Sequence, residues 1–95
     1  MTINFHDATL TGISLDWPTK TVDLAVEIEE RGTVHIKCRG FVRVIVPREE
    51  PWGPSVSING ISEPAKHEIG IWALRVEMQT GDMIEILAES FELPD

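Results

Sequence analysis

Apolar and polar residues alternate along much of this chain. Val22, Leu24, Val26 and Ile28 are separated by Asp23, Ala25 and Glu27. Val34, Ile36 and Cys38 are separated by His35 and Lys37. Period-two alternation is the mark of a strand with one face on a core. A one-residue slip would swap faces, so the two apolar sets are expected to pair with each other. A three-residue loop, Glu30-Arg31-Gly32, sets Ile28 opposite Val34, Val26 opposite Ile36 and Leu24 opposite Cys38. Glu27 then meets His35 and Asp23 meets Arg39 on the outer face, both favourable cross-strand pairs. Gly32 falls where the turn needs a left-handed residue.

The same reasoning gives a second hairpin. Trp72, Leu74, Val76 and Met78 alternate with Ala73, Arg75 and Glu77, and Ile84, Ile86 and Ala88 follow in step. The loop Gln79-Thr80-Gly81 pairs Val76 with Ile84, Leu74 with Ile86 and Arg75 with Glu85, and Gly81 takes the role of Gly32. Ile13, Leu15 and Trp17 predict a first strand that turns through Pro18-Thr19-Lys20. In the apolar run Phe41 to Val46, Val42, Val44 and Val46 are assigned to the core, and Phe41 and Ile45 to the other face. Val56 and Ile58 alternate with Ser55, Ser57 and Asn59, a further short strand, and Pro64 to Ile69 has room for one helical turn. The expectation is a single domain over residues 1–95, all-β, a mainly antiparallel small sandwich or partly open barrel of about seven short strands with little or no helix. A single curved sheet that dimerises is the alternative. Phe41, Ile45, Ile71, Ala73 and Leu87 would then form an outward apolar surface for self-association.

Composition narrows the function classes. Ninety-five residues with 42% hydrophobic content suit one globular unit. No apolar run approaches the roughly 20 residues of a membrane helix. Met1 to Leu10 has neither the basic start nor the apolar stretch of a signal peptide. The one cysteine, Cys38, has no intramolecular disulfide partner, and together these features point to the cytoplasm. The net charge is -8. Acids and bases cancel over residues 1–48, so the imbalance lies in residues 49–95, where Lys66 and Arg75 are the only cations. That field opposes nucleic acid and anionic membrane and favours a basic protein partner, although acidity also serves solubility.

Few residues suggest chemistry. The adjacent His6 and Asp7 have the right types for metal binding or acid–base work, but two residues complete neither. The simpler role is that Asp7 caps the turn entering the first strand while His6 packs nearby. His35 and Cys38, three apart on a strand, point to opposite faces, so they make no nucleophile pair. Cys38 reads as a core thiol and His35 as an exposed partner of Glu27. The three histidines lie in three separate segments, and neither a metal site nor a cofactor is expected. There is no phosphate-binding glycine loop and no Gly-x-Ser-x-Gly elbow. An enzyme is therefore not the expected class.

The most individual stretch runs from Pro47 through Arg48, Glu49, Glu50, Pro51, Trp52 and Gly53 to Pro54. Three prolines restrict its backbone, and Gly53 permits a tight bend beside the indole. Trp52 is either a plug over the open end of the sheet or a binding anchor.

Phe5-His6-Asp7-Ala8, with Leu10, Ile13 and Asp16, and the central Pro51-Trp52-Gly53-Pro54-Ser55-Val56-Ser57-Ile58-Asn59 resemble a group of small bacterial β-rich proteins of unknown function, across most of the chain. Some proteins with a similar opening look like immunity proteins, which neutralise toxins by binding them. The resemblance implies no catalytic residues.

Three functional readings follow. The first is a protein-binding module, immunity-like, contacting a basic partner through Arg48, Trp52, Glu85 and Glu89. The second is a self-associating accessory protein, a homodimer through the outward apolar surface. The third is a small-molecule site or minor enzyme, with His6, Asp7, Ser57 and Asn59 meeting at one end of the sheet.

Overall fold

The structure is a computed structural model and describes residues 4–94. Seven strands form: β1 Thr9–Asp16, β2 Thr21–Ile28, β3 Gly32–Ile45, β4 Ile58–Ile61, β5 Ala65–Glu68, β6 Ile71–Met78 and β7 Met83–Glu92, and all but β5 fall in the expected segments. All pairings are antiparallel, in the order β1-β2-β3-β7-β6-β4, with β5 also on β6. The fold is all-β, and the described residues contain no helix.

The long strand β3 serves both halves of the sheet. Gly32 to Arg39 pairs with β2, and Lys37 to Ile45 pairs with β7. The strand turns at Gly40, whose φ is 68°, and a bulge follows between Phe41 and Arg43. A side chain at position 40 would collide with that of Glu89, which lies across the glycine. Glycine is required there for both backbone conformation and clearance.

Bending brings the sheet's ends together. The Asp7 N–H donates to the Ile58 carbonyl at 2.9 Å, the Ile58 N–H to the Ala8 carbonyl at 2.8 Å, and the Leu10 N–H to the Val56 carbonyl at 2.9 Å. These bonds stitch the start of β1 to the lead-in of β4. Past Leu10 the two edges part, so the wall is a partly open barrel. Its interior holds Val22, Leu24, Val26, Ile36, Cys38, Ile58, Leu74, Val76, Ile84, Ile86 and Ala88.

The β6–β7 hairpin has the expected register, with Val76 opposite Ile84, Leu74 opposite Ile86 and Arg75 opposite Glu85. Gly81 has the expected left-handed φ, 97°. The β2–β3 hairpin differs by two residues. Ile28 faces Gly32, Val26 faces Val34, Leu24 faces Ile36 and Val22 faces Cys38. The turn closes early, with the Arg31 N–H donating to the Ile28 carbonyl at 3.0 Å and left-handed φ at both Glu30 and Gly32. A slip of two keeps every side chain on its face, so alternation alone does not distinguish the registers. The outer pairs change accordingly. Glu27 faces Thr33, Asp23 faces Lys37, and His35 faces Ala25 and reaches diagonally to Asp23 at 2.8 Å. Arg39 pairs instead with Glu92 at 3.1 Å.

The bulge in β3 corrects the expected phase of the run 41–46. It turns Phe41 and Val44 onto the core and leaves Val42 and Val46 exposed. Pro64 to Ile69 is not helical. Ala65–Glu68 continues along β6 as β5, after Ser62 bonds the backbone of Arg75.

Candidate protein-docking site

The segment from Pro47 to Ser55 leaves β3, crosses the tip of the β6–β7 hairpin, and leads into β4. Asp82 holds it there. This residue immediately precedes β7, in phase with the interior residues Ile84 and Ile86, and it is buried. Its carboxylate accepts the backbone N–H groups of Glu49 at 2.9 Å and Glu50 at 3.1 Å, and the Thr80 hydroxyl at 2.8 Å. Thr80 is also buried, and its carbonyl accepts the Trp52 N–H at 3.0 Å. Burial acts to raise the Asp82 pKa. The hydrogen bonds from Glu49, Thr80 and Glu50, with the nearby Arg48 charge, outweigh it and hold the carboxyl below its ordinary value. The Gly53 N–H closes a further turn onto the Glu50 carbonyl at 3.0 Å, and Arg48 pairs with Glu50 at 3.0 Å.

Trp52 is therefore not a plug. The clamp fixes its backbone while its side chain stays 79% exposed, resting against Gly81 at the hairpin tip. Asp82 and Thr80 were missed by the sequence reading. The available signal was a charged residue between the turn and β7, in phase with the interior residues of that strand.

Beside this loop the barrel wall is open. A cavity of about 280 Å³ lies between β1, the tail of β3 and the hairpin tip. Leu10, Ile13, Val46, Met78 and Ile84 give it apolar walls, and Arg48 stands among its polar ones.

Of the residues expected to contact a partner, Arg48 and Trp52 share this loop. Glu85 and Glu89 do not join them. Glu85 is paired with Arg75 at 2.8 Å, and Glu89 lies across Gly40 at the bend of β3. The expected ligand-site residues lie along the stitched seam, but Ser57 takes part through its backbone and the Asn59 side chain turns to Glu77. His6 Nδ1 donates to the Asn59 carbonyl at 2.9 Å, which leaves Nε2 on the side of Asp7, 3.6 Å from its Oδ1. The Asp7 carboxylate accepts the Gln79 side-chain amide at 2.5 Å. The Ser57 carbonyl accepts the Gln79 N–H at 2.9 Å, and the Asn59 amide donates to Glu77 at 2.8 Å. These bonds join three segments of backbone, a structural arrangement. Asp7 does not cap the turn; the Asn4 side chain accepts the His6 N–H at 3.0 Å in that role. Among the described residues, no three His, Cys, Asp or Glu side chains gather to hold a metal.

The expected self-association surface is reduced. Phe41 joins the core. Ala73 and Leu87 face each other on the outer side and are buried within the chain. Ile71 is half-buried and Ile45 remains exposed. Cys38 is fully buried, and desolvation, aided by the Asp23 charge, pushes its thiol up to about 12.

Comparison with protein-family models finds no match, and comparison with curated proteins finds none. Among solved structures, the chain is similar to an uncharacterised protein from Neisseria gonorrhoeae, with 21% identity and a TM-score of 0.68 over 97% of this chain and 95% of that one. At that identity the likeness shows a shared fold.

Proposed function

We propose that this chain is a binding module for a basic protein partner, with Trp52 as its anchor. One observation carries the reading: an indole 79% exposed on a loop whose backbone is clamped from behind by Asp82 and Thr80. A large exposed aromatic on a fixed scaffold offers contact area with little ordering cost on association. Arg48, beside the open cavity, adds a second side chain of a type favoured at the centre of interfaces. The net charge of -8 supports a basic partner, since complementary fields speed encounter and exclude acidic competitors. Some proteins with a similar opening look like immunity proteins, which neutralise toxins by binding them, and a binding module is in keeping with that resemblance.

The test is parallel affinity capture from bacterial lysate with the wild-type chain and Trp52→Ala, at low and high salt. The reading expects a basic protein held by the wild type, released by salt, and lost with Trp52→Ala. Equal capture by both baits, or recovery of bait alone, removes it.

A further inference from the structure

We infer that the open seam takes an extended, basic segment of the partner as an added strand along β1, an inference that rests on the partner-binding reading above and specifies how that partner docks. The edge of β1 that faces away from β2 is already used for strand pairing over its first part, by residues 56–58. Past the bulge between Leu10 and Gly12 the same edge has no strand partner among the described residues. Ile13 lies opposite Leu24 and Leu15 opposite Val22. Leu24 and Val22 share the phase of Val26, which lies opposite Leu10 where the Leu10 N–H turns away from β2. By the alternation of an antiparallel ladder, with the bulge restoring phase, the backbone groups of Ile13 and Leu15 also point away from β2. Among the described residues, no hydrogen bond from another segment reaches them.

An added strand would place alternate side chains over the cavity beside this edge. The space, about 280 Å³, compares with the ~150 Å³ that encloses a benzene ring, so it suits about two branched aliphatic side chains. Leu15 is 49% exposed and Val46 47%, both left bare where the next strand would lie. The charge of the segment follows from the flanks. Asp16 at the end of the edge and Glu49 beyond Arg48 are exposed and, among the described residues, neither pairs with a cation; the Asp16 carboxylate accepts the Thr19 N–H at 3.2 Å, and Arg48 is held by Glu50. Lys20, the nearest cation in the following turn, lines a different groove with Gly40 and Phe41. Asp16 and Glu49 thus flank the edge as acids without a counter-ion, in a chain of net charge -8, so a segment alternating apolar residues with lysine or arginine is complementary on both faces.

The experiment is amide hydrogen exchange by NMR on the full chain, titrated with the synthetic peptide Lys-Val-Lys-Val-Lys-Val-Lys. The expected result is slowing of the Ile13 and Leu15 amides by at least about tenfold at roughly 1 mM peptide. The Glu-Val counterpart and a peptide methylated on its valine nitrogens should leave them unchanged. Leu15→Pro, which removes an outward N–H that no ladder uses, should stay folded and lose the protection. Unchanged exchange at both amides, or equal binding by the methylated peptide, overturns the inference. The two readings separate on a captured partner. Binding that depends on Trp52 but leaves Ile13 and Leu15 unprotected sinks the added strand alone. Protection at the edge with no effect of Trp52→Ala sinks the anchor alone.

Discussion

The indole of Trp52 lies against Gly81, in the space that a side chain at position 81 would occupy. The exposed loop and the hairpin tip are thus fitted to each other, and Gly81 serves two ends. Its φ of 97° closes the β6–β7 turn, and its missing Cβ gives the indole a seat. Gly81→Ala is expected to lower stability by about 1–2 kcal/mol through backbone strain. It should also move the Trp52 side chain. Urea denaturation gives the first quantity, and the shift of native tryptophan fluorescence relative to Trp52→Ala gives the second.

Trp52→Ala itself should leave stability within about 0.5 kcal/mol of the wild type, because the indole is mostly in water and the backbone bond from Trp52 to Thr80 does not need it. A thermal melt checks this. A large loss would mean that the ring holds the loop and not the reverse.

Asp82 makes the loop acid-sensitive. Its folded pKa lies below the ordinary carboxylate value. Its contribution to stability is then fully present above the unfolded pKa of about 3.9 and is lost as pH falls through the lower folded value. Asp82→Asn keeps the shape but loses the charge and one acceptor. It should lower Tm at neutral pH and flatten the fall of Tm on acidification below about pH 5. A Tm profile against pH for both proteins measures the difference.

Cys38 should be inert while the chain is folded. Its thiol is enclosed among core residues and raised to about 12, so almost none is thiolate at neutral pH. Labelling with a thiol reagent should proceed at the rate of opening and become immediate in denaturant. Cys38→Ser should cost about 1–3 kcal/mol, since the hydroxyl would be desolvated in an apolar interior.

Residues close in sequence were read most faithfully. The β6–β7 hairpin could be worked out because its turn, its apolar alternation and its Arg75–Glu85 pair all demand one register. In the β2–β3 hairpin the pattern set the faces but not the partners. A shift of two residues satisfies the same alternation, and the choice fell to backbone conformations at Glu30 and Gly32. The phase of the run after Phe41 was hidden for a related reason. A bulge adds one residue to one strand and leaves no mark in the polarity of its side chains.

The sequence by itself determined every strand but β5, the all-β class, which faces of the two hairpins are apolar, and where the charge lies, because these depend on side-chain polarity at short spacing. Only the tertiary structure decided that β3 bends at Gly40 to serve both halves, that the edge of β1 is closed as far as Leu10 and then released, and that Asp82 clamps a loop some thirty residues away. Each of these rests on backbone groups meeting across long stretches of chain. Every residue carries the same N–H and C=O, so composition and periodicity record nothing of which will meet. Trp52 shows both limits at once: its loop was conspicuous in the sequence, and its exposure was settled by the buried Thr80 and Asp82 beneath it.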